Sequence, residues 1–181
     1  MRIKSFKLFE KVTMGYLKGF NENLEDIDSI CKKYAIINYT IVDGKVNVNG
    51  DVMLNSKKLG KIPINFGYIS GDFYCYNNQL TSLEGSPDSI GGSFNCNSNQ
   101  LTSLEGSPDN IGGNFYCNDN IIHNIWILFN DFSKIELFNY MDPIRPSENG
   151  EEPIVYLVIL NEFLKEIGKK TVTKINGYKC I

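Results

Sequence analysis

An eleven-residue segment, Asn78-Gln79-Leu80-Thr81-Ser82-Leu83-Glu84-Gly85-Ser86-Pro87-Asp88, occurs twice, and Asn99 to Asp109 repeats it 21 positions later. No other feature of the chain constrains the fold as tightly. A unit of this size cannot enclose a core of its own. Each unit must bury its apolar side against the next, and successive units stack as a solenoid. Gly50, Gly71, Gly92 and Gly113 share one phase of the period. Two residues after each stands Val52, Phe73, Phe94 or Phe115, and two further on Leu54, Cys75, Cys96 or Cys117. That i, i+2 spacing predicts a short strand with one buried face in every unit. Lys57, Asn78, Asn99 and Asn120 follow, then the apolar columns Leu59/Leu80/Leu101/Ile122 and Ile62/Leu83/Leu104/Ile125. Ile69, Ile90 and Ile111 close each turn.

The asparagine column has a chemical rationale. A primary amide both donates and accepts, so Asn78, Asn99 and Asn120 can satisfy backbone groups where strand turns into loop. These three are expected to be structural. Gly85 to Pro87 and Gly106 to Pro108 carry turn chemistry for the back of each unit.

Residues alternating with the buried ones point outward. In a curved parallel sheet they line the concave face, and they are readable as columns: Met53, Tyr74, Asn95, Tyr116, then Asn55, Tyr76, Asn97, Asn118, with Asp51, Asp72, Ser93, Asn114 alongside. Tyrosine and asparagine give large contact area and adaptable hydrogen bonds at low entropic cost. Met53, Asp72, Tyr74, Tyr76, Asn95, Asn97, Tyr116 and Asn118 are therefore the candidate partner-binding residues. The competing reading is cross-strand stacking that merely supports the sheet. So few units make a shallow groove, suited to a peptide, a loop or one face of a protein.

No constellation for catalysis emerges. His123 is the only histidine and has no carboxylate or cysteine at a telling spacing, so no triad assembles around it. No phosphate-binding glycine loop is present. Glu84 and Glu105 follow the repeat and form a solvated row, not an acid/base pair. The expectation is a non-enzyme without cofactor. Cys75, Cys96 and Cys117 occupy an inward column, in a straight ladder with ~5 Å steps. Such a ladder cannot surround a metal tetrahedrally, and the thiols are expected to act as small buried hydrophobes. Five cysteines without C-x-x-C spacing point to a reducing compartment. A net charge of −3 leaves no basic excess for a nucleic-acid partner. No apolar run reaches the ~20 residues of a membrane span, and no secretory signal is visible.

The flanks read as an arm and caps. Residues 1–22 form an N-terminal arm, with a short amphipathic helix in its first part. Residues 23–49 form a cap. A helix over Leu24 to Tyr34 is acidic in its first turn and basic in its last. A hairpin of Ile37–Val42 and Lys45–Val48 turns at Asp43-Gly44. Residues 50–125 are the repeats, and 126–181 a C-terminal cap. In that cap Ile125 to Phe129 continues the core, a short helix covers Ser133 to Tyr140, and Asp142 to Glu151 is a loop. Pro153 opens a helix ending at Ile167, and Val172 to Ile181 forms one or two strands turning at Asn176-Gly177.

Phe94, Cys96, Asn99, Leu101 and Leu104 match the pattern L-x-L-x-x-N-x-L-x-x-L, so residues 46–125 resemble a leucine-rich repeat. The Asn-Gln-Leu-Thr-Ser-Leu core followed by Pro87 or Pro108 resembles the short bacterial subtype, which implies an extended or turn-like convex side. Gly91 replaces the usual opening leucine, and Lys57 stands where the first asparagine belongs, as in an atypical capping turn. The implied fold class is α+β, a short leucine-rich repeat solenoid of about four 21-residue coils with a parallel sheet between its caps. The stretches Lys7–Glu10, Ile30–Gly44, Gly71–Pro87 and Ile127–Asn139 are similar to uncharacterised leucine-rich repeat proteins encoded by tailed bacteriophages. That resemblance, with the tyrosine face, implies a non-catalytic protein-binding module acting on a host defence or regulatory protein in the bacterial cytoplasm. The alternative is an internal head protein inside the virion, because the start resembles a capsid-targeting peptide and Leu8-Phe9-Glu10 resembles a prohead-protease site. A small-molecule or sugar binder is a third, weaker class, since the face is open.

Overall fold

In the computed structural model, which describes residues 27–146 and 151–181, the 21-residue sequence period becomes a hydrogen-bond register. The expected arm and its helix, the first turn of the cap helix and the protease-like Leu8-Phe9-Glu10 lie outside the described residues. The chain divides into two compact units, Met1–Ile37 and Asn38–Ile181. The helix and hairpin that the sequence reading joins into one cap fall in different units.

In the first unit, residues 27–33 form helix α1, with Cys31 buried and Ile27 and Ile30 half-buried. Ala35 takes a left-handed φ of 56°, and the Ile36 N–H closes the helix end by donating to the Cys31 carbonyl at 2.8 Å.

The second unit begins with an antiparallel hairpin, β1 (Tyr39–Val42) and β2 (Lys45–Val48). Asp43 and Gly44 both have positive φ, 50° and 75°. This is the conformation whose twist matches the flanking strands. Seven short strands follow: β3 (Val52–Met53), β4 (Phe66–Ile69), β5 (Phe73–Tyr74), β6 (Ser89–Ile90), β7 (Phe94–Asn95), β8 (Asn110–Ile111) and β9 (Phe115–Tyr116). They sort alternately into two sheets, β3-β5-β7-β9 and β1-β2-β4-β6-β8. Apart from the hairpin, every pairing in these two sheets is parallel. Val52, Phe73, Phe94 and Phe115 are direct partners in one sheet. Ile69, Ile90 and Ile111 are partners in the other. Those isoleucines, read from sequence as a closing column, are strand residues of a second sheet.

The corner between the sheets explains the glycine column. The N–H of Gly71, Gly92 and Gly113 each donates to the carbonyl of the glycine one unit earlier, at 2.8–3.0 Å. A Cβ on Gly92 would stand 2.7 Å from the Gly71 oxygen. Only a residue without a side chain lets the backbones come this close.

Between the sheets lies the core. Phe66, Phe73 and Phe94 are fully buried, with Leu54, Leu80, Leu83, Leu101 and Leu104 around them. Ring centroids step 5.2 Å from Phe66 to Phe73, then 5.7 Å to Phe94 and 5.7 Å to Phe115. Each buried phenylalanine stabilises by roughly 1.5–3 kcal/mol. The aromatic line continues through Trp126, 4.8 Å from Phe115, to Phe129, Phe138 and Phe163. These rings come from α2 (His123–Phe129), α3 (Ile135–Met141) and α4 (Leu157–Glu166). A 3-10 turn, Phe132–Lys134, precedes α3, and the Asp131 side chain caps it by accepting from the Ser133 N–H. Tyr178 ties the C-terminal segment down, its buried hydroxyl donating to the Thr102 carbonyl at 2.6 Å.

The C-terminal part differs from the sequence reading at three points. Pro153 does not open a helix. Ile154–Val155 is strand β11, antiparallel to β10 (Ile144–Arg145) and parallel to β12 (Lys179–Cys180). Two β-branched residues suit a buried central strand, and α4 starts after it at Leu157 and ends at Glu166. The expected loop Asp142–Glu151 contains β10, and the terminal strand is confined to Lys179–Cys180. The described residues thus form a mixed fold of four helices and largely parallel sheets.

Candidate functional site

The outward side of the β3-β5-β7-β9 sheet carries the candidate residues in the order its register dictates. Met53, Tyr74, Asn95 and Tyr116 are direct neighbours across the four strands. Met53 is 53% exposed and Tyr116 40%. Tyr74, Tyr76, Asn95, Asn97 and Asp72 are half-buried and Asn118 is exposed. The Tyr74 and Tyr76 rings meet edge to face at 6.3 Å.

Several of these groups are engaged within the sheet. Asp72 Oδ1 accepts the Ser93 N–H at 2.6 Å, and its Oδ2 accepts the Tyr74 hydroxyl at 2.6 Å. Both bonds favour the ionised carboxylate and hold Asp72 below the usual carboxylate range, the Ser93 bond most. The same contact pushes the Tyr74 phenol up to about 12. The neighbouring positions behave alike. Asp51 Oδ1 accepts the Asp72 N–H, and Ser93 Oγ accepts the Asn114 N–H. This column, read from sequence as flanking the partner surface, pairs each unit's backbone with the next. Asn97 Oδ1 likewise accepts the Asn118 N–H at 2.7 Å, and Asn95 Oδ1 accepts the Asn97 N–H. Tyr76, Tyr116 and Met53 have no side-chain hydrogen bond among the described residues.

Beneath the face, the asparagine column reaches inward. Asn99 Nδ2 donates to the carbonyls of Cys75 and Cys96 at 3.0 Å, and its Oδ1 accepts the Leu80 N–H. Asn120 repeats this with Cys96, Cys117 and Leu101. Asn78 repeats it with Leu54, Cys75 and Leu59, and its Oδ1 also accepts the Lys57 N–H. Cys75, Cys96 and Cys117 are buried free thiols. Burial pushes the Cys117 thiol up to about 12 and holds the Cys75 and Cys96 thiols well above the ordinary thiol value. All three are protonated at neutral pH, and a protonated thiol is neither a nucleophile nor a metal ligand.

A second polar column escaped the sequence reading. Ser56, Asn77, Ser98 and Asp119 all adopt left-handed φ, between 53° and 58°. Their side chains pair between units, Asn77 Nδ2 to Ser56 Oγ and Ser98 Oγ to Asp119 Oδ2. The signal was residue type: serine, asparagine and aspartate at one phase, the residues that favour turns and caps. The ion pair of Lys45 with both oxygens of Asp88, at 2.8 Å, was also unread.

His123 is the first residue of α2, and its Nδ1 is buried with no hydrogen-bond partner among the described residues. Among the described residues, no three His, Cys, Asp or Glu side chains are grouped to hold a metal ion. Nor is any described helix long and apolar enough to cross a membrane. Compared with protein-family models, with curated proteins and with solved structures, the chain matches none.

Proposed function

We propose that the chain is a short leucine-rich repeat solenoid and serves as a non-catalytic protein-binding module, encoded by a phage and directed at a host defence or regulatory protein in the bacterial cytoplasm. The 21-residue register of both parallel sheets and the buried asparagine column support the solenoid reading. The phage origin and the host partner rest on the sequence resemblance and on analogy between folds. One observation carries the binding reading. Met53, Tyr74, Asn95 and Tyr116 form a row across four parallel strands, and its two ends, Met53 and Tyr116, are exposed apolar or aromatic side chains. Contact surfaces concentrate their energy in such aromatic anchors. Replacing Tyr74, Tyr76 and Tyr116 together by alanine and repeating capture from a host lysate tests it. Loss of one partner is expected. Unchanged recovery by a folded triple variant removes this face from the binding role.

A further inference from the structure

The face proposed to bind a partner also has a charge signature, whose meaning rests on that binding role. The face is built from residues 51–56, 72–77, 93–98 and 114–119. These stretches hold Asp51, Asp72 and Asp119 and no lysine, arginine or histidine. The whole chain is nearly balanced, with 18 basic and 21 acidic residues, and the next cations in sequence, exposed Lys57 and Lys58, stand past the end of the first stretch. Asp51 is exposed on the first strand's stretch and Asp119 on the last, so exposed carboxylates stand at both margins. Between them lie the rings. Adjacent strands are spaced ~4.8 Å, so Tyr74 and Tyr116 rise from strands roughly 10 Å apart with the shorter Asn95 between them. The faces of tyrosine rings carry negative electrostatic potential and attract ammonium or guanidinium groups within ~6 Å. The Asn95 and Asn97 side-chain oxygens each accept one backbone N–H. An amide oxygen has two lone pairs, so each retains capacity for a donor from a ligand. Aromatic faces, acceptors and carboxylates all select the same ligand chemistry.

We propose that this face receives an extended, arginine- or lysine-bearing segment of a protein partner, with a cationic side chain lodged over Asn95 between Tyr74 and Tyr116 and its neighbours facing Asp51 and Asp119. Charge complementarity of this kind sets specificity and association rate.

The probe is a fluorescein-labelled octa-arginine peptide, titrated with the full chain by anisotropy, alongside octa-lysine and octa-glutamate peptides. Binding of the cationic peptides and none of the anionic one is expected. Tyr116→Ala weakens binding by roughly tenfold, the scale of a desolvated cation–aromatic contact, and Asp51→Asn with Asp119→Asn weakens it by roughly fivefold to tenfold, the scale of two exposed ion pairs. Tyr116→Phe keeps the ring and retains binding, which guards against a folding artefact. Glu84→Gln with Glu105→Gln removes the same charge from exposed loops and leaves binding within about twofold, as screened distant charges do. Equal weakening by the loop pair means diffuse attraction to a net-negative chain and overturns the proposal, as does indifference to both face variants. If lysate capture depends on the tyrosines while the cationic peptides do not bind, the basic-partner proposal fails and the binding reading stands. If capture is also independent of the tyrosines, both fall.

Discussion

The side-chain amide of Asn99 donates to the carbonyl of Cys75, 24 residues earlier, at 3.0 Å. Its oxygen takes the Leu80 N–H, also in the preceding unit, and its second donor contact is its own unit's Cys96 carbonyl. One buried side chain thus joins two units where the backbone ladder ends. Asn99→Ala leaves the buried Leu80 N–H without its acceptor, a loss that costs about 1–3 kcal/mol, while the Cys75 and Cys96 carbonyls keep the Asn78 and Asn120 amides. A destabilisation of roughly 1–3 kcal/mol is expected. Asn78→Ala should cost less, because Asn78 is only half-buried and its bonds to the Leu59 N–H and the Leu54 carbonyl are part-buried, whereas those of Asn99 are buried. Urea unfolding of both variants checks this, and equal midpoints would refute the ordering.

Gly92→Ala should destabilise by about 1–3 kcal/mol through overpacking. The added Cβ would meet the Gly71 oxygen at 2.7 Å and carbon at 2.8 Å. That neighbour is backbone held by a hydrogen bond and cannot step aside. Gly60 is the control. Nothing lies within 4 Å of its added Cβ, and its φ is not left-handed. Gly60→Ala should be neutral or stabilising by up to about 1 kcal/mol, by restricting the unfolded chain. Thermal melts of the pair decide; a neutral Gly92→Ala removes the close-approach explanation of the glycine column.

The buried thiols make stability depend on alkaline pH. In the unfolded chain a thiol ionises near about 8.5, whereas burial pushes Cys117 up to about 12 and raises Cys75 and Cys96 well above the ordinary value. Between these values the unfolded chain gives up protons that the folded one keeps. The stabilisation is fully present below pH about 8.5 and is lost as pH rises toward the folded values, by up to about 1.4 kcal/mol per pH unit for each thiol. Unfolding midpoints at pH 7, 9 and 10.5 under reducing conditions should fall progressively. Iodoacetamide at pH 8 should spare all three in the folded protein. A flat midpoint profile, or fast labelling of Cys96, contradicts the buried ladder.

The part of the fold legible in sequence is the part with strict alternation. Phe73, Cys75 and their counterparts alternate with polar residues, so their burial could be read directly. The second sheet could not be read this way. Ile90 of β6 and Ile111 of β8 have only Asp88 and Gly92, or Asp109 and Gly113, two positions away, so no apolar alternation marks these strands. Ile154–Val155 was lost to a local signal, because proline before an apolar run reads as a helix start while strand pairing with distant Ile144 and Lys179 decides the outcome. Of the candidate face, the outward rows were readable from register. The engagement of Asp72 was not, since its partner is a backbone N–H 21 residues away and a backbone group leaves no mark in a residue pattern. The chemical hint was that Asp51, Asp72, Ser93 and Asn114 all offer a short side-chain oxygen.

The Asp72–Tyr74 contact can be read out by titration. The phenol is pushed up to about 12 chiefly by donating to the Asp72 carboxylate, because ionising it would set two negative groups against each other. Asp72→Asn keeps an oxygen able to accept the Ser93 N–H but removes the charge. Tyr74 should then ionise nearer the ordinary value of about 10. Tyrosine-selective NMR at pH about 10, within the range of the ordinary phenol transition, should show one ring substantially ionised in Asp72→Asn and protonated in the parent. Tyr74→Phe identifies the resonance. The acid side has the opposite sign. Asp72 is held below its unfolded value, so its contribution is present above pH about 4 and is lost as pH falls through the folded value. Solvent exposure keeps that contribution small. A Tyr74 resonance that titrates identically in Asp72→Asn and the parent would mean the carboxylate does not hold the hydroxyl in solution, and the ring would then be free to turn toward a ligand.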